Sequence, residues 1–256
     1  MKAKYSISLM VAAVVVMALS MPVYASKMDD QIVSSAKKSY VFKNYLKNDD
    51  IKIQSKDGAV TLTGTVSEES HKSLARETVA SLQGVKSVDN KLEVKGERPA
   101  ENSDAWIMTK VKTTLFFHSS VSAGTTVDVK NGIVTLRGEA TSQAQKDLTT
   151  EYAKDIDGVK DVKNEMVVST PAKKTQPSKK TQTTSGKIDD ASITGLAKMT
   201  LLYHRSTSAL NTSVTTNKGV VTLTGKAKNA AEKDLAAKYV SDVNGVKSVN
   251  NRMTVE

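Results

Sequence analysis

Apolar residues recur along the chain in one order, and that order is written three times. First comes a stretch with apolar positions at i, i+4 and i+8: Ile32/Ala36/Tyr40, Ile107/Val111/Leu115 and Ile193/Ala197/Leu201. That spacing lines one face of an α-helix. Asp29, Asp104 and Asp190 stand at the starts of these stretches, placed to cap the helix or to favour its N-terminus by charge. Two alternating segments follow and meet at Asp57-Gly58, Asn131-Gly132 and Lys218-Gly219, with Val127, Val129, Ile133 and Thr135 marking the second unit. Alternation about such a dipeptide predicts a β-hairpin, and Asp-Gly and Asn-Gly are stronger signals than Lys-Gly. A second helical stretch turns Leu74/Val79/Leu82, Leu148/Tyr152/Ile156 and Leu235/Tyr239/Val243 inward. Gly84, Gly158 and Gly245 close it, where glycine adopts the left-handed conformation at least cost. The last segment alternates again: Val88/Leu92/Val94, Val162/Met166/Val168 and Val249/Met253/Val255.

Glycine spacing shows the same repeat independently. Gly58, Gly64 and Gly84 are spaced by 6 and 20 residues, as are Gly132, Gly138 and Gly158, and Gly219, Gly225 and Gly245. Around them stand DGAVTLTG, NGIVTLRG and KGVVTLTG, then GVKSVDNKLEV, GVKDVKNEMVV and GVKSVNNRMTV. The units run over 28–95, 103–169 and 188–256, with a short polar connector at 96–102 and a Lys-rich linker at 170–187. The linker composition reads as an extended, solvated segment. The predicted fold class is α+β: three tandem αββαβ domains. A strand–helix–strand crossover places its strands parallel and right-handed. Joined to the hairpin, it gives each unit a small mixed three-stranded sheet with two helices on one face. Units of this size are near the lower limit for a self-sufficient core.

The N-terminus reads as an address rather than as structure. Lys2 and Lys4 precede an apolar run from Ile7 to Met21, and Val23-Tyr24-Ala25 follows Pro22. Residues 1–25 fit a secretory signal peptide cleaved after Ala25, and the run is short for a membrane span of about 20 residues. Periplasmic localisation and a mature chain with no transmembrane span are the expectation.

The repeated αββαβ pattern, the VTLTG strand end and the closing Gly-Val-x-x-Val-x-Asn resemble the BON domain family, a module of the bacterial periplasm and outer membrane. A signal peptide followed by serial BON domains is similar to the osmotically inducible periplasmic protein Y family. The third unit and the Lys-rich linker depart from the two-domain arrangement usual there. The resemblance implies phospholipid association at the envelope, or chaperone-like help to envelope proteins under osmotic stress, and no enzymatic activity. The expected partners are envelope proteins or an anionic phospholipid surface.

Composition narrows the chemistry. The 256 residues carry a net charge of +10, no cysteine and three histidines, which removes disulfides, thiolate metal sites and a cysteine nucleophile. No cofactor, metal site or catalytic residue is expected. No nucleophile–base pattern repeats, and no phosphate-cradling glycine loop is present. The basic charge suits nucleic acid, but export argues against such a partner. Charge is uneven: residues 103–169 are net −1, residues 188–256 net +3, and the linker adds +5.

His118 and His204 occupy matching places at the end of the first helix, where a polar or cationic group complements exposed carbonyls. His71 opens a second helix, where the other units have Gln145 and Glu232. Asn90, Asn164 and Asn251 share the phase of their strands' core valines, so their amides need internal partners at a strand edge or turn. Lysine recurs at Lys37/Lys112/Lys198, Lys72/Lys146/Lys233 and Lys86/Lys160/Lys247, as a solvated face or as an attractant for anionic head groups. Trp106, the only tryptophan, and Phe117 lie on one side of their helix, off the apolar stripe. With Lys110 and Lys112 they form the candidate lipid or partner surface. The competing reading has these aromatics packing against another unit.

Overall fold

A computed structural model of the protein describes residues 27–97, 99–169, 187–207 and 211–256. The expected signal peptide, its cleavage after Ala25, and all of the Lys-rich linker but Lys187 lie outside these residues.

Each repeat builds a three-stranded mixed sheet under two helical segments. In the first domain, α1 (27–38) and α2 (Tyr40–Asn44) precede β1 (Asp50–Lys56), β2 (Ala59–Val66), α3 (Glu69–Ala80) and β3 (Ser87–Val94). The second domain has α4 (Asp104–Phe117), β4 (Thr126–Lys130), β5 (Ile133–Arg137), β6 (Glu139–Ala140), α5 (Gln143–Lys154), β7 (Asp161–Asn164) and β8 (Val167–Val168). The third has α6 (Asp190–Tyr203), β9 (Thr212–Asn217), β10 (Val220–Ala227), α7 (Ala230–Ser241), β11 (Ser248–Asn251) and β12 (Thr254–Val255). In each sheet the hairpin is antiparallel and the crossover strand parallel, with the middle strand central. This is the αββαβ topology expected from the repeats.

Local chemistry sets the registers. Asp57, Asn131 and Lys218 hold φ near +50°, and the glycine after each lies near +80°, the two left-handed positions of a type I′ turn. Asp29, Asp104 and Asp190 do not cap their own helices; Ser103 and Asp189 do that for α4 and α6. The three aspartates instead reach across to the hairpins. Asp104 accepts from Asn131 N–H and Gly132 N–H at 2.8 Å each, and Asp190 from Lys218 and Gly219 at 2.7 and 2.8 Å. Asp29 does the same with Asp57 and Gly58. These charge-assisted bonds hold the Asp104 carboxyl below the ordinary carboxylate range.

The asparagine triplet has one role in all three domains. Each side-chain amide donates to the carbonyl of a lysine in the first turn of the second helix: Asn90 to Lys72, Asn164 to Lys146 and Asn251 to Lys233, at 2.7–2.9 Å. Each carbonyl oxygen accepts from the N–H two residues on, at Leu92, Met166 and Met253. The amide therefore rivets the second helix to the last strand.

The first domain departs from the expected pattern. One helix running from Ile32 through Tyr40 is predicted, but Ser39 interrupts it: its hydroxyl donates to Ala36 C=O and caps α2 through Phe42 N–H. Side chains of this type compete with helical backbone bonding. The break rotates Val41 into the core in place of Tyr40.

Sequence leaves open whether the units dock. They do: one apolar cluster joins residues of all three domains, including Val41, Val79, Phe117, Tyr152, Met199 and Val243, while a smaller cluster is private to the third domain.

Candidate functional site

Four side chains expected to share one exposed surface on α4 are divided among different neighbours. Phe117 is fully buried and meets the Tyr45 ring edge-on at 5.7 Å, where the first and second domains join. It is therefore no exterior lipid anchor, which corrects that expectation. Trp106 is half-buried beside the core, with Lys110 Nζ 3.6 Å from its ring centroid and 5.5 Å from that of Tyr203 in the third domain. Lys110 is thus drawn into the α4–α6 contact, and burial pushes its ammonium pKa down. Lys112 is exposed. Trp106 and Phe117 do lie on one side of the helix, but eleven residues separate them by about 16 Å along the axis, far enough to meet different domains.

The lysine rows divide similarly. Lys198 pairs with Glu77 of α3 at 3.1 Å, bridging the third domain to the first. Lys160 and Lys247 lay their methylenes against the turn glycines Gly132 and Gly219, leaving their heads at the surface.

Helix ends build the junction of the second and third domains. Both imidazoles expected to serve helix-end carbonyls leave those helices and are buried, His118 at 3% and His204 at 1% exposure. Their Nε2 atoms face each other at 3.3 Å. His118 stacks on Tyr152 at 3.8 Å and His204 on Tyr239 at 4.0 Å. Behind His118, Nδ1 lies 3.5 Å from Asp242 of the other domain; behind His204, Nδ1 lies 3.3 Å from Asp155. At these distances neither contact is a well-formed hydrogen bond, and neither Nδ1 has another partner.

The surrounding contacts are reciprocal. Tyr152 Oη donates to Asp242 at 2.8 Å and Tyr239 Oη to Asp155 at 2.9 Å. Ser119 N–H donates to Asp242 C=O at 2.7 Å and Arg205 N–H to Asp155 C=O at 2.9 Å. Single β-bridges pair His118 with Val243 and Ile156 with His204. Residue i of one domain thus meets j of the other while j meets i, the signature of a two-fold, isologous contact. Burial would push the Asp242 carboxyl up, but contacts from His118, Ser120, Ser119 and Tyr152 outweigh it and hold it at about 2. Asp155 is lowered on the same pattern, by His204, Ser206 and Tyr239 against burial. Burial pushes the His118 imidazole down, with Asp242 opposing.

The first domain cannot make this junction, because Lys43, Thr78 and Ser81 stand at the positions of the histidine, tyrosine and aspartate. Its own contact with the third domain uses Asp189, which caps α6 and also accepts from Tyr40 N–H at 2.7 Å, while Ser192 Oγ accepts from Val41 N–H at 3.0 Å.

Chemically the junction turns its imidazoles and carboxylates toward one another. Among the described residues, no group of three or more His, Asp or Glu side chains could hold a metal ion. Two of the clefts that face solvent lie between domains. One, of about 740 Å³, lies between the first and second domains and is lined by Tyr45, His71 and Phe116; the other, of about 310 Å³, lies between the first and third and is lined by Arg76, Glu77 and Leu202. Beside the larger cleft, His71 Nδ1 lies 2.6 Å from Asp49 Oδ2. Phe116 and Leu202 occupy matching helix positions and are exposed by 59% and 49%.

Comparison with known proteins places these features in company. The sequence matches the BON domain over residues 28–96, 103–170 and 189–256. It is 32% identical over 143 residues to the osmotically-inducible protein Y of Escherichia coli (strain K12), across 54% of this chain and 71% of that protein. Among solved structures, CdsD, a structural protein of the type III secretion system of Chlamydia trachomatis, aligns over 88% of this chain and 92% of its own at 16% identity, with a TM-score of 0.24. A second structure, of the CdsD C-terminal domain, gives a TM-score of 0.23 at the same identity, over 88% of this chain and 97% of its own.

Proposed function

The chain belongs to the BON domain family, and on that premise we propose that it is a non-enzymatic, periplasmic interaction protein with a chaperone-like role at the cell envelope under osmotic stress. The relative named for osmotic induction supports the setting. The observation that carries the reading is the placement of Phe116 and Leu202, two exposed apolar side chains at matching positions, each lining a cleft between domains. Isolated exposed apolar residues are ordinary. Two of them beside clefts on one docked chain offer separate weak contacts to an unfolded segment, and linked weak sites gain avidity.

Suppression of client aggregation tests this. The double substitution Phe116→Ser and Leu202→Ser is expected to leave the fold intact and to lower suppression several-fold, with each single change giving a smaller loss. Equal suppression by the double variant and the parent contradicts the reading. Vesicle co-sedimentation run beside it addresses the phospholipid alternative. Salt-sensitive binding to anionic vesicles, unaffected by the double substitution, would favour the lysine rows as the working surface.

A further inference from the structure

The junction between the second and third domains has an unusual requirement for protons. His118 and His204 place four ring nitrogens in one line of contacts, carboxylate–Nδ1, Nε2–Nε2 and Nδ1–carboxylate. A neutral imidazole carries one N–H and one lone pair. If both rings put their hydrogen toward the carboxylates, two lone pairs confront each other at 3.3 Å. If one ring turns its hydrogen inward, its Nδ1 lone pair faces a carboxylate. Only one additional proton lets every nitrogen find a complementary partner: three N–H groups and one lone pair, with Nε2–H of one ring donating to Nε2 of the other. A second additional proton sets two N–H groups head to head between two cations.

We propose that His118 and His204 form a proton-gated joint, in which one shared proton locks the second domain to the third and a second proton parts them. The two carboxylates supply the negative field that attracts the first proton, and both are held below the ordinary carboxylate range. Burial and the neighbouring ring oppose the second, consistent with the lowered His118 imidazole. Other polar and charged groups in the surroundings reinforce the carboxylates or act at the margin. Tyr152 and Tyr239 donate to Asp242 and Asp155. Arg205 Nε stands 3.7 Å from Asp155, and Glu151 acts on Tyr239. Buried histidines at an interface are a recognised route to pH switching.

The sign follows from the two steps. In this proposal the first extra proton binds the docked pair more tightly than the parted rings, because it alone completes the line of contacts, so the stabilisation it gives is lost at high pH. The step from one to two has its docked-state pKa lowered, so docking weakens as pH falls from the ordinary imidazole value of about 6.5. Docking is therefore strongest between the two steps and fails first, on the acid side, while Asp155 and Asp242 remain ionised.

Imidazole nitrogen NMR on the intact chain reads the pair directly. His118 and His204 are expected to titrate together in two steps more than about one unit apart, with His71 as a separate signal. Amide exchange gives the mechanical readout, since Ser119, Arg205 and Asn244 donate across the junction. Their protection is expected to peak between the two steps and to fall tenfold or more below the acid one, while sheet amides such as Leu136 stay protected. His118→Gln and His204→Gln should each leave a single-step titration and abolish the acid-side change in protection. Independent titration of both rings near the ordinary value, with junction amides equally protected throughout, overturns the proposal. So does acid opening that persists unchanged in both glutamine variants, because the carboxylates would then be its cause.

Discussion

At the scale of single residues, function-like positions and structural ones are separated by what they touch. Asn164 has the phase of a core residue and the chemistry of a surface one, and the sequence already demands an internal partner for it. That its amide reaches the Lys146 carbonyl depends on how the second helix sits over the last strand, which no local pattern contains. The aspartates at the helix starts do place a charge in the first turns of α4 and α6, but their hydrogen-bond partners are hairpin N–H groups 27 to 29 residues away, beyond any local pattern. An Asp-to-turn interval that varies by only one residue among the three units is the available signal for that contact. Lys218 is the residue least suited to its place: it sits at φ +51° where the other units have Asp57 and Asn131. Asparagine tolerates that conformation far better than lysine does. Lys218→Asn is expected to raise stability by about 0.5–1 kcal/mol, read as a higher urea midpoint with an unchanged slope; a lower midpoint contradicts the account of the turn.

Elements are the scale at which amphipathic patterning succeeds and then runs out. Periodicity marks the buried stripes of α4 and α6, fails at the Ser39 break, and conceals that α6 is buried along nearly its whole circumference, including Thr194, Gly195, Leu196 and Met199. A helix apolar on all sides signals burial between layers, and that is the cue the i, i+4, i+8 stripe conceals. Gly195 permits the close crossing of α6 on α3, since a Cβ there would stand 2.6 Å from Thr78 Oγ1 and 3.2 Å from the Thr78 backbone. Overfilling such a contact costs about 1–3 kcal/mol. Gly195→Val is expected to lower stability by that amount in urea unfolding, and Thr78→Ala in the same chain to recover part of it, because neighbouring changes couple. A Gly195→Val chain as stable as the parent contradicts the crossing. The histidine junction was legible only by laying the units side by side. The second and third share the histidine, tyrosine and aspartate positions, and the first has Lys43, Thr78 and Ser81 instead. Each histidine by itself reads as an ordinary helix end.

For the whole molecule, three small domains that would each be marginal alone share an apolar cluster and become one body. Repetition made the αββαβ units readable, whereas docking depends on surfaces from distant parts of the chain meeting in three dimensions. The same docking decides the functional reading. It withdraws Phe117 from any external surface, leaves Phe116 and Leu202 at the clefts, and puts the histidines where protons govern contact between domains. Small-angle scattering of the chain from residue 26 onward, at neutral pH and low concentration, tests this most directly. A docked body of this length has a radius of gyration of about 17 Å, and that value is expected. A value well above it, with the profile of separate modules on a string, would contradict the docked arrangement on which the clefts and the proton-gated joint depend.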